Sequence, residues 1–147
     1  MEFEVCRITT PPELTSVLGE TARSEGFRMV DTLVKRFHSG ANRFDRPGEA
    51  LFGVKQAGRL VGIGGLNIDP YFGRVRTGRV RHVYVHPDFR GGGMGRHIVR
   101  SIEQKAGGTF DRLELFTPNE DASRFYEALG YRRVSGILKV SHTKRIG

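Results

Sequence analysis

A glycine-rich loop between a strand-like run and a helix-like run is the stretch of this 147-residue chain with the clearest chemical potential. Residues 83–85 are apolar, and apolar residues recur every fourth position from Met94 to Ala106, which indicates strand, loop and helix in that order. Glycine has no Cβ, so a ligand can approach the main chain closely. The unpaired amides that open the helix favour an anion, and Arg90 and Arg96 flank them. The stretch predicts a phosphate-binding loop.

Two other phosphate-binding patterns do not fit this loop. The Walker pattern requires Lys followed by Ser or Thr after its second glycine, and neither pair follows here. The dinucleotide pattern requires glycine at its sixth position, where Arg96 stands if counting starts at Gly91.

The loop Arg90-Gly91-Gly92-Gly93-Met94-Gly95, preceded by Val85-His86-Pro87, resembles the first signature of the GNAT superfamily of acyl-CoA-dependent N-acyltransferases. A second stretch, residues 119–131, resembles the family's second block at an ordinary distance downstream. The resemblance implies that acetyl-CoA is the cosubstrate, bound by the loop and by main-chain amides that the preceding strand frees by splaying from its neighbour. These amides would also polarise the thioester carbonyl. The cofactor-binding residues so implied are Val83, Tyr84, Val85, Arg90, Gly91, Gly92, Gly93, Met94, Gly95, Arg96, Asn119 and Ser123.

Tyr126 has two interpretations. It shares one helical face with Ala122, Phe125 and Leu129, which is typical of a core aromatic. The resemblance implies instead that it is the general acid, since a phenol of pKa ~10 is protonated at neutral pH and can protonate a thiolate of pKa ~8.5. Asn119 is similarly open, because it could cap the helix that follows or bond the cofactor.

The group that accepts the proton of the amine is harder to predict. Many family members have a carboxylate on the central strand near the position that His82 occupies here. With an ordinary pKa of ~6.5, His82 could serve as the base, or it could be a hydrogen-bonded structural residue. His82 and His86 do not form a helical metal pair, and Cys6 is the single cysteine, so we predict no metal.

The formal charge of +8 raises the question of nucleic acid. Seven arginines and one acid lie between Tyr71 and Arg100, but a polyphosphate cofactor would account for them. No stacking motif rich in aromatic residues accompanies the charge, so nucleic acid is not favoured. No apolar run approaches the ~20 residues of a membrane span, and the opening residues lack a signal-peptide layout. We expect a cytoplasmic protein.

The elements predict a single domain over residues 1–147, of α/β (α+β) class, with a mixed, mostly antiparallel central sheet flanked by about four helices. This order is also the one that the GNAT resemblance implies. A capping box at residues 10–13 should start the first helix, and Ser39-Gly40 should end the second. We expect strands at residues 2–9, 51–55, 60–68, 79–85, 112–116, 131–134 and 137–141.

The acceptor should be a primary amine that attacks the thioester directly in a ternary complex. Few acids lie near the expected cleft, with Asp31, Asp45 and Asp69 as candidates, so a small neutral or partly anionic amine is favoured over a strongly cationic one. Two alternatives stay open: acetylation of a protein lysine or N-terminus, and a sensor that binds acyl-CoA without turnover. A homodimer is also possible on sequence grounds.

Overall fold

A sheet of seven strands organises the computed structural model, which describes residues 3–10, 17–71 and 76–147. Its strands are β1 (Glu4–Arg7), β2 (Ala50–Gln56), β3 (Arg59–Ile68), β4 (Thr77–Val85), β5 (Arg112–Leu115), β6 (Arg132–Arg133) and β7 (His142–Arg145). They lie in the order β1-β2-β3-β4-β5-β7-β6. The β4–β5 pair is parallel, and the other pairs among the described strands are antiparallel. The predicted mixed, mostly antiparallel sheet is therefore confirmed.

Helices cover both faces of this sheet. Those described are α1 (Val17–Ser24), α2 (Met29–Ser39), α3 (Met94–Ala106) and α4 (Glu120–Ala128). The apolar stripe of α3 is buried with α4 residues in one core, whereas α1 and α2 form a second core with Ile63 and Tyr84 of the sheet. In the described part of the chain, no helix is both long and apolar enough to cross a bilayer.

Glycines in β3 let α3 approach the sheet closely. A Cβ at Gly64 would overlap Ile98, and one at Gly62 would lie 3.2 Å from the same side chain. These glycines therefore mark a close approach of a helix to the strand, as glycine inside a strand often does. The contact fixes the start of α3, and hence the glycine loop, beside β4.

Most of the predicted element ends agree with the structure. Gly40 ends α2 in the left-handed region at φ 82°, as a C-terminal glycine should. Ala57 and Gly58, both at positive φ, close the β2–β3 hairpin, which is the geometry of a type I′ turn. The capping box falls largely on residues 11–16, which lie outside the described residues.

The prediction for the last strand was wrong. Residues 137–141 were expected to be a strand, but β7 is His142–Arg145. The apolar pair Ile137 and Leu138 that suggested a strand is exposed, at 40% and 73%. β7 pairs instead along the whole of β5, from Arg112 opposite Arg145 to Leu115 opposite His142. The position of β7 is thus fixed by its pairing with the buried strand β5. The apolar residues at 137–141 do not reveal that partner.

Candidate active site

The site begins where β4 and β5 separate. The described ladder between them pairs Thr77 with Arg112, Gly78 with Leu113 and Arg79 with Glu114, and then stops. From residue 80 to residue 85, β4 continues without a described β5 partner, while Leu115 pairs with β7. A cleft of about 1030 Å³, here called the β4–β5 cleft, opens along this part of β4. Its walls are β4, the glycine loop, the starts of α3 and α4, the end of β5 and the segment that enters α2.

The structure brings the predicted site residues together in this cleft. Gly92 and Ser123 are the exceptions, since neither lines it. The predicted residues that line it are His82, Val83, Tyr84, Val85, Arg90, Gly91, Gly93, Met94, Gly95, Arg96, Asn119 and Tyr126.

A bulge in β4 lies at the edge of the cleft. Arg81 pairs with Gly65 and Tyr84 with Ile63, so two β4 residues stand opposite the single Gly64. His82, the first of the two, has φ 60°, a conformation that costs a non-glycine residue about 1–2 kcal/mol. Bulges re-aim strands and often adjoin active sites. Here the bulge interrupts the β3–β4 ladder where β4 turns its edge to the cleft.

The glycine loop leaves the first amides of α3 open to a ligand. Gly91 and Gly93 both have φ 87°, and Gly93 occupies the N-cap position of α3 without a side-chain cap. The first amides of a helix lack intrahelical partners, and the dipole makes that end partly positive. The loop therefore has the backbone of an anion site that faces the cleft.

The two arginines of the loop differ in their surroundings. The Arg90 guanidinium forms a two-bond ion pair with Glu25, at 2.7 and 3.0 Å, and its Nε donates to the Val85 carbonyl at 2.8 Å. Tyr84 also donates its hydroxyl to Glu25, and these bonds hold the pKa of Glu25 below its usual range. Arg96 is exposed and has no ion pair with any described residue. Arg90 thus ties the loop to the turn after α1, whereas Arg96 is available to an anion.

Tyr126 lies in the core and at the wall of the cleft. Its side chain is 8% exposed and its ring packs against Phe125 and Tyr131, with centroids 5.0 and 5.5 Å apart. Its hydroxyl bonds none of the residues in the described ranges. Burial raises the pKa of the phenol above its ordinary value of 10. The hydroxyl is therefore protonated at neutral pH. Tyr126 can be a core aromatic through its ring and still present a protonated hydroxyl at the cleft wall.

Two residues of the second block have side chains that are already engaged. Asn119 Oδ1 accepts from the Ala122 amide at 3.0 Å, so this residue caps α4 while it also lines the cleft. Ser123 is buried, donates to Glu127 at 2.8 Å, and lies 2.9 Å from His142 Nε2. The structure places Ser123 behind the cleft wall, in a network that ties α4 to β7.

His82 lines the cleft in its neutral form. Burial, and then the charges of Arg81 and Arg36, lower the pKa of its imidazole to about 3. The ring lies edge-on to Phe44, with centroids 6.2 Å apart. At neutral pH, the imidazole of His82 is therefore neutral and a very weak base. Over residues 3–10, 17–71 and 76–147, the structure contains no group of three or more His, Cys, Asp or Glu residues suited to a metal.

His82→Gln is expected to make the fold less sensitive to acid. The pKa of His82 is about 3 in the folded protein and ~6.5 when unfolded, so the unfolded state binds more protons between these values. This contribution to stability is complete above pH ~6.5 and falls as the pH drops towards 3. From neutral pH to pH ~5, wild type should lose about 2 kcal/mol more than the variant in its free energy of unfolding. Urea unfolding at both pH values measures this, and equal losses would contradict a depressed pKa.

Sequence reasoning missed several residues of the cleft wall. Phe27 and Met29 enter from the segment before α2, and Tyr71, Arg79 and Arg81 come from the far end of β3 and β4. For Arg79 and Arg81, the one sequence signal was the high number of arginines between residues 71 and 100. Glu25, the partner of Arg90, lies 65 positions away in the chain, and no local signal marks it.

Three features of the cleft suit an acyl-CoA-dependent transferase: the separated strands, the uncapped helix start and the buried phenol. The Acetyltransferase (GNAT) family matches residues 18–131. The chain therefore belongs to the GNAT family, whose members use acetyl-CoA.

The curated relatives are similar over part of their length. N-alpha-acetyltransferase RimI of Mycobacterium tuberculosis is 30% identical over 92 residues, which cover 60% of this chain and 55% of that protein. Glucosamine 6-phosphate N-acetyltransferase of Trypanosoma brucei brucei is 30% identical over 84 residues, 56% of this chain and 57% of that protein. The chain thus matches little more than half the length of these two relatives.

Solved structures are similar over nearly the whole chain. A crystal structure from Exiguobacterium sp. 255-15, of a protein proposed to be an acetyltransferase, is 31% identical with a TM-score of 0.85, and the match covers 99% of this chain and 94% of that one. A Salmonella typhimurium structure with acetyl-CoA has a TM-score of 0.72 at 13% identity, over 99% of this chain and 94% of that one. At that identity the second similarity shows the fold alone.

Proposed function

We propose that this chain transfers the acetyl group of acetyl-CoA to a primary amine by direct attack in a ternary complex. The observation that carries the proposal is the β4–β5 cleft, where an unpaired strand edge, an uncapped helix start and a protonated phenol face one space. Family membership supports the proposal. Acetyl-CoA would supply the activated acetyl group and a thiolate as leaving group.

The residues of the cleft fit this cosubstrate. The space around Gly91 is open, because a Cβ there would meet nothing within 4 Å. The α3 amides and Arg96 suit a diphosphate, and Arg90 would hold the loop in place through Glu25. The edge of Val83, Tyr84 and Val85, which no described residue of β5 pairs, would offer main-chain groups to the pantetheine arm, except for the Val85 carbonyl that accepts from Arg90. Asn119, which caps α4 at the cleft wall, stays a proposed contact of the cofactor. Gly92 and Ser123, which do not line the cleft, would support the shape of the loop and of α4.

Two side chains would handle protons. Tyr126 Oη would give its proton to the departing sulfur, since a phenol is protonated at neutral pH, and solvent would reprotonate the phenolate that results. His82 would accept a hydrogen bond from the attacking amine and orient it. Because the pKa of His82 is about 3, its imidazole would stay neutral, and the proton that the amine loses would go to solvent. The amine must reach the site neutral, which costs an amine of pKa ~10.4 roughly 4.6 kcal/mol at pH 7.

The test is release of free thiol from acetyl-CoA in the presence of a panel of primary amines. The panel should contain small amines, lysine peptides and peptides with free N-termini, because the names of the two curated relatives specify different acceptors. Amine-dependent thiol release supports the proposal. Saturable binding of CoA without thiol release from any amine would indicate the sensor. Absence of CoA binding by calorimetry would refute both.

A further inference from the structure

The end of the β4–β5 cleft away from the glycine loop is here called the acceptor end. It contains an arginine that forms no hydrogen bond or ion pair with any described residue. Arg81 lines the cleft directly before the bulge at His82 and is partly buried. Within the described residues its guanidinium forms no hydrogen bond or ion pair. The guanidinium carbon of Arg81 lies 6.0 Å from the centroid of the Tyr71 ring, at the limit of a cation–π contact. Arg81 is partly buried, so its charge has lost part of its hydration, and this burial lowers the pKa of the guanidinium.

The groups around Arg81 do not neutralise it. Asp69, the carboxylate whose charge acts on Arg81, is already paired with the buried Arg79 at 3.1 Å. Glu114 stands opposite Arg79 on β5 and is buried, with interactions of its own. Arg36 of α2 acts electrostatically on both Arg81 and His82. The acceptor end of the cleft therefore keeps a surplus of positive charge.

A partly dehydrated cation without a counter-ion is costly, and the cost is recovered when an anion binds it. The guanidinium fork matches a carboxylate or a phosphate with two parallel hydrogen bonds. Tyr71 cannot supply this pairing. Its ring already lies under Arg79 at 4.6 Å and near Lys139 at 4.8 Å, and a ring contact at an open site is weak.

We infer that the acceptor is a small primary amine that carries an anionic group, a phosphate or a carboxylate, and that Arg81 binds this group. The inference rests on the proposed function and specifies its substrate class. The position of Arg81 next to His82 puts the anionic group on the far side of the amine from the cofactor loop. Arg81 would thus determine acceptor specificity without touching the thioester.

The experiment compares matched acceptors. Ethanolamine is paired with O-phosphoethanolamine and propylamine with β-alanine, so that each pair differs in one anionic group. Wild type should acetylate the anionic member with at least about tenfold higher kcat/KM. Arg81→Gln should reduce that preference about tenfold or more, through KM of the acceptor, and should leave KM for acetyl-CoA unchanged. Arg59→Gln, an exposed arginine on β3 outside the cleft, is the matched control and should change neither constant.

Binding separates this inference from the proposed function. Calorimetry of O-phosphoethanolamine with the CoA-saturated protein should give saturable binding that Arg81→Gln weakens about tenfold, whether or not turnover occurs. Such binding, together with no thiol release from any amine of the panel, would refute the acetyltransferase and keep the anion site. Three results would each overturn the inference and leave the acetyltransferase in place. They are equal kcat/KM within each pair, an unchanged preference in Arg81→Gln, and a peptide preferred over both anionic amines. Arg81→Lys keeps the charge but not the planar fork of the guanidinium. Its preference for the anionic acceptors should be intermediate between those of wild type and Arg81→Gln.

Discussion

Tyr126→Phe is expected to lower kcat about 100-fold or more, while the affinity for CoA stays within about twofold of wild type. General acid catalysis typically contributes 10²–10⁴-fold, and the variant removes only the hydroxyl. That hydroxyl bonds nothing in the described parts of the chain, so its loss leaves no buried partner unsatisfied and the ring continues to fill the core. Steady-state kinetics with acetyl-CoA, together with calorimetry of CoA binding, measures the two quantities separately.

The neighbouring Tyr131 offers a matched control. Its ring lies 5.5 Å from that of Tyr126, but its hydroxyl donates to Glu103 at 2.9 Å and the residue does not line the cleft. Tyr131→Phe should therefore cost some stability, on the order of 1 kcal/mol for a lost hydrogen bond, and leave kcat nearly unchanged. If Tyr126→Phe retained wild-type kcat, or if both variants lost the same activity, Tyr126 would be a core aromatic only.

Gly91→Ala is expected to weaken CoA binding about tenfold or more. Gly91 has φ 87°, a region where a Cβ costs about 1–2 kcal/mol, so the loop should relax away from the shape that presents the α3 amides. The added methyl would also project into the open space where the diphosphate is proposed to bind. Calorimetry of CoA binding measures the loss, and thermal unfolding measures the strain.

Gly108 provides the comparison at the opposite end of α3. Its φ is 85°, and a Cβ there also meets nothing within 4 Å, so Gly108→Ala carries the same backbone strain outside the cleft. The two variants should lose similar stability, and only Gly91→Ala should lose affinity for CoA. Similar losses of affinity in both would mean that strain is transmitted through α3 and that Gly91 has no local role in binding.

The predictions that agreed with the structure rest on contiguous signals. Glycines before a helical repeat marked the loop and the start of α3. The strand expected at residues 137–141 was wrong because its apolar residues are exposed and β7 is set by pairing with β5. Pairing partners are distant in the chain, so they leave no pattern within one segment.

By itself, the sequence determined the family, the order of elements and the position of the glycine loop, because each depends on residue types at fixed local spacing. The tertiary structure alone decided which groups are available for chemistry. Burial depresses the pKa of His82, Glu25 pairs with Arg90 from 65 positions away, and no residue in the described ranges forms an ion pair with Arg81. The physical reason is that charge and proton affinity depend on solvation and on neighbours in space, which only the folded chain brings together.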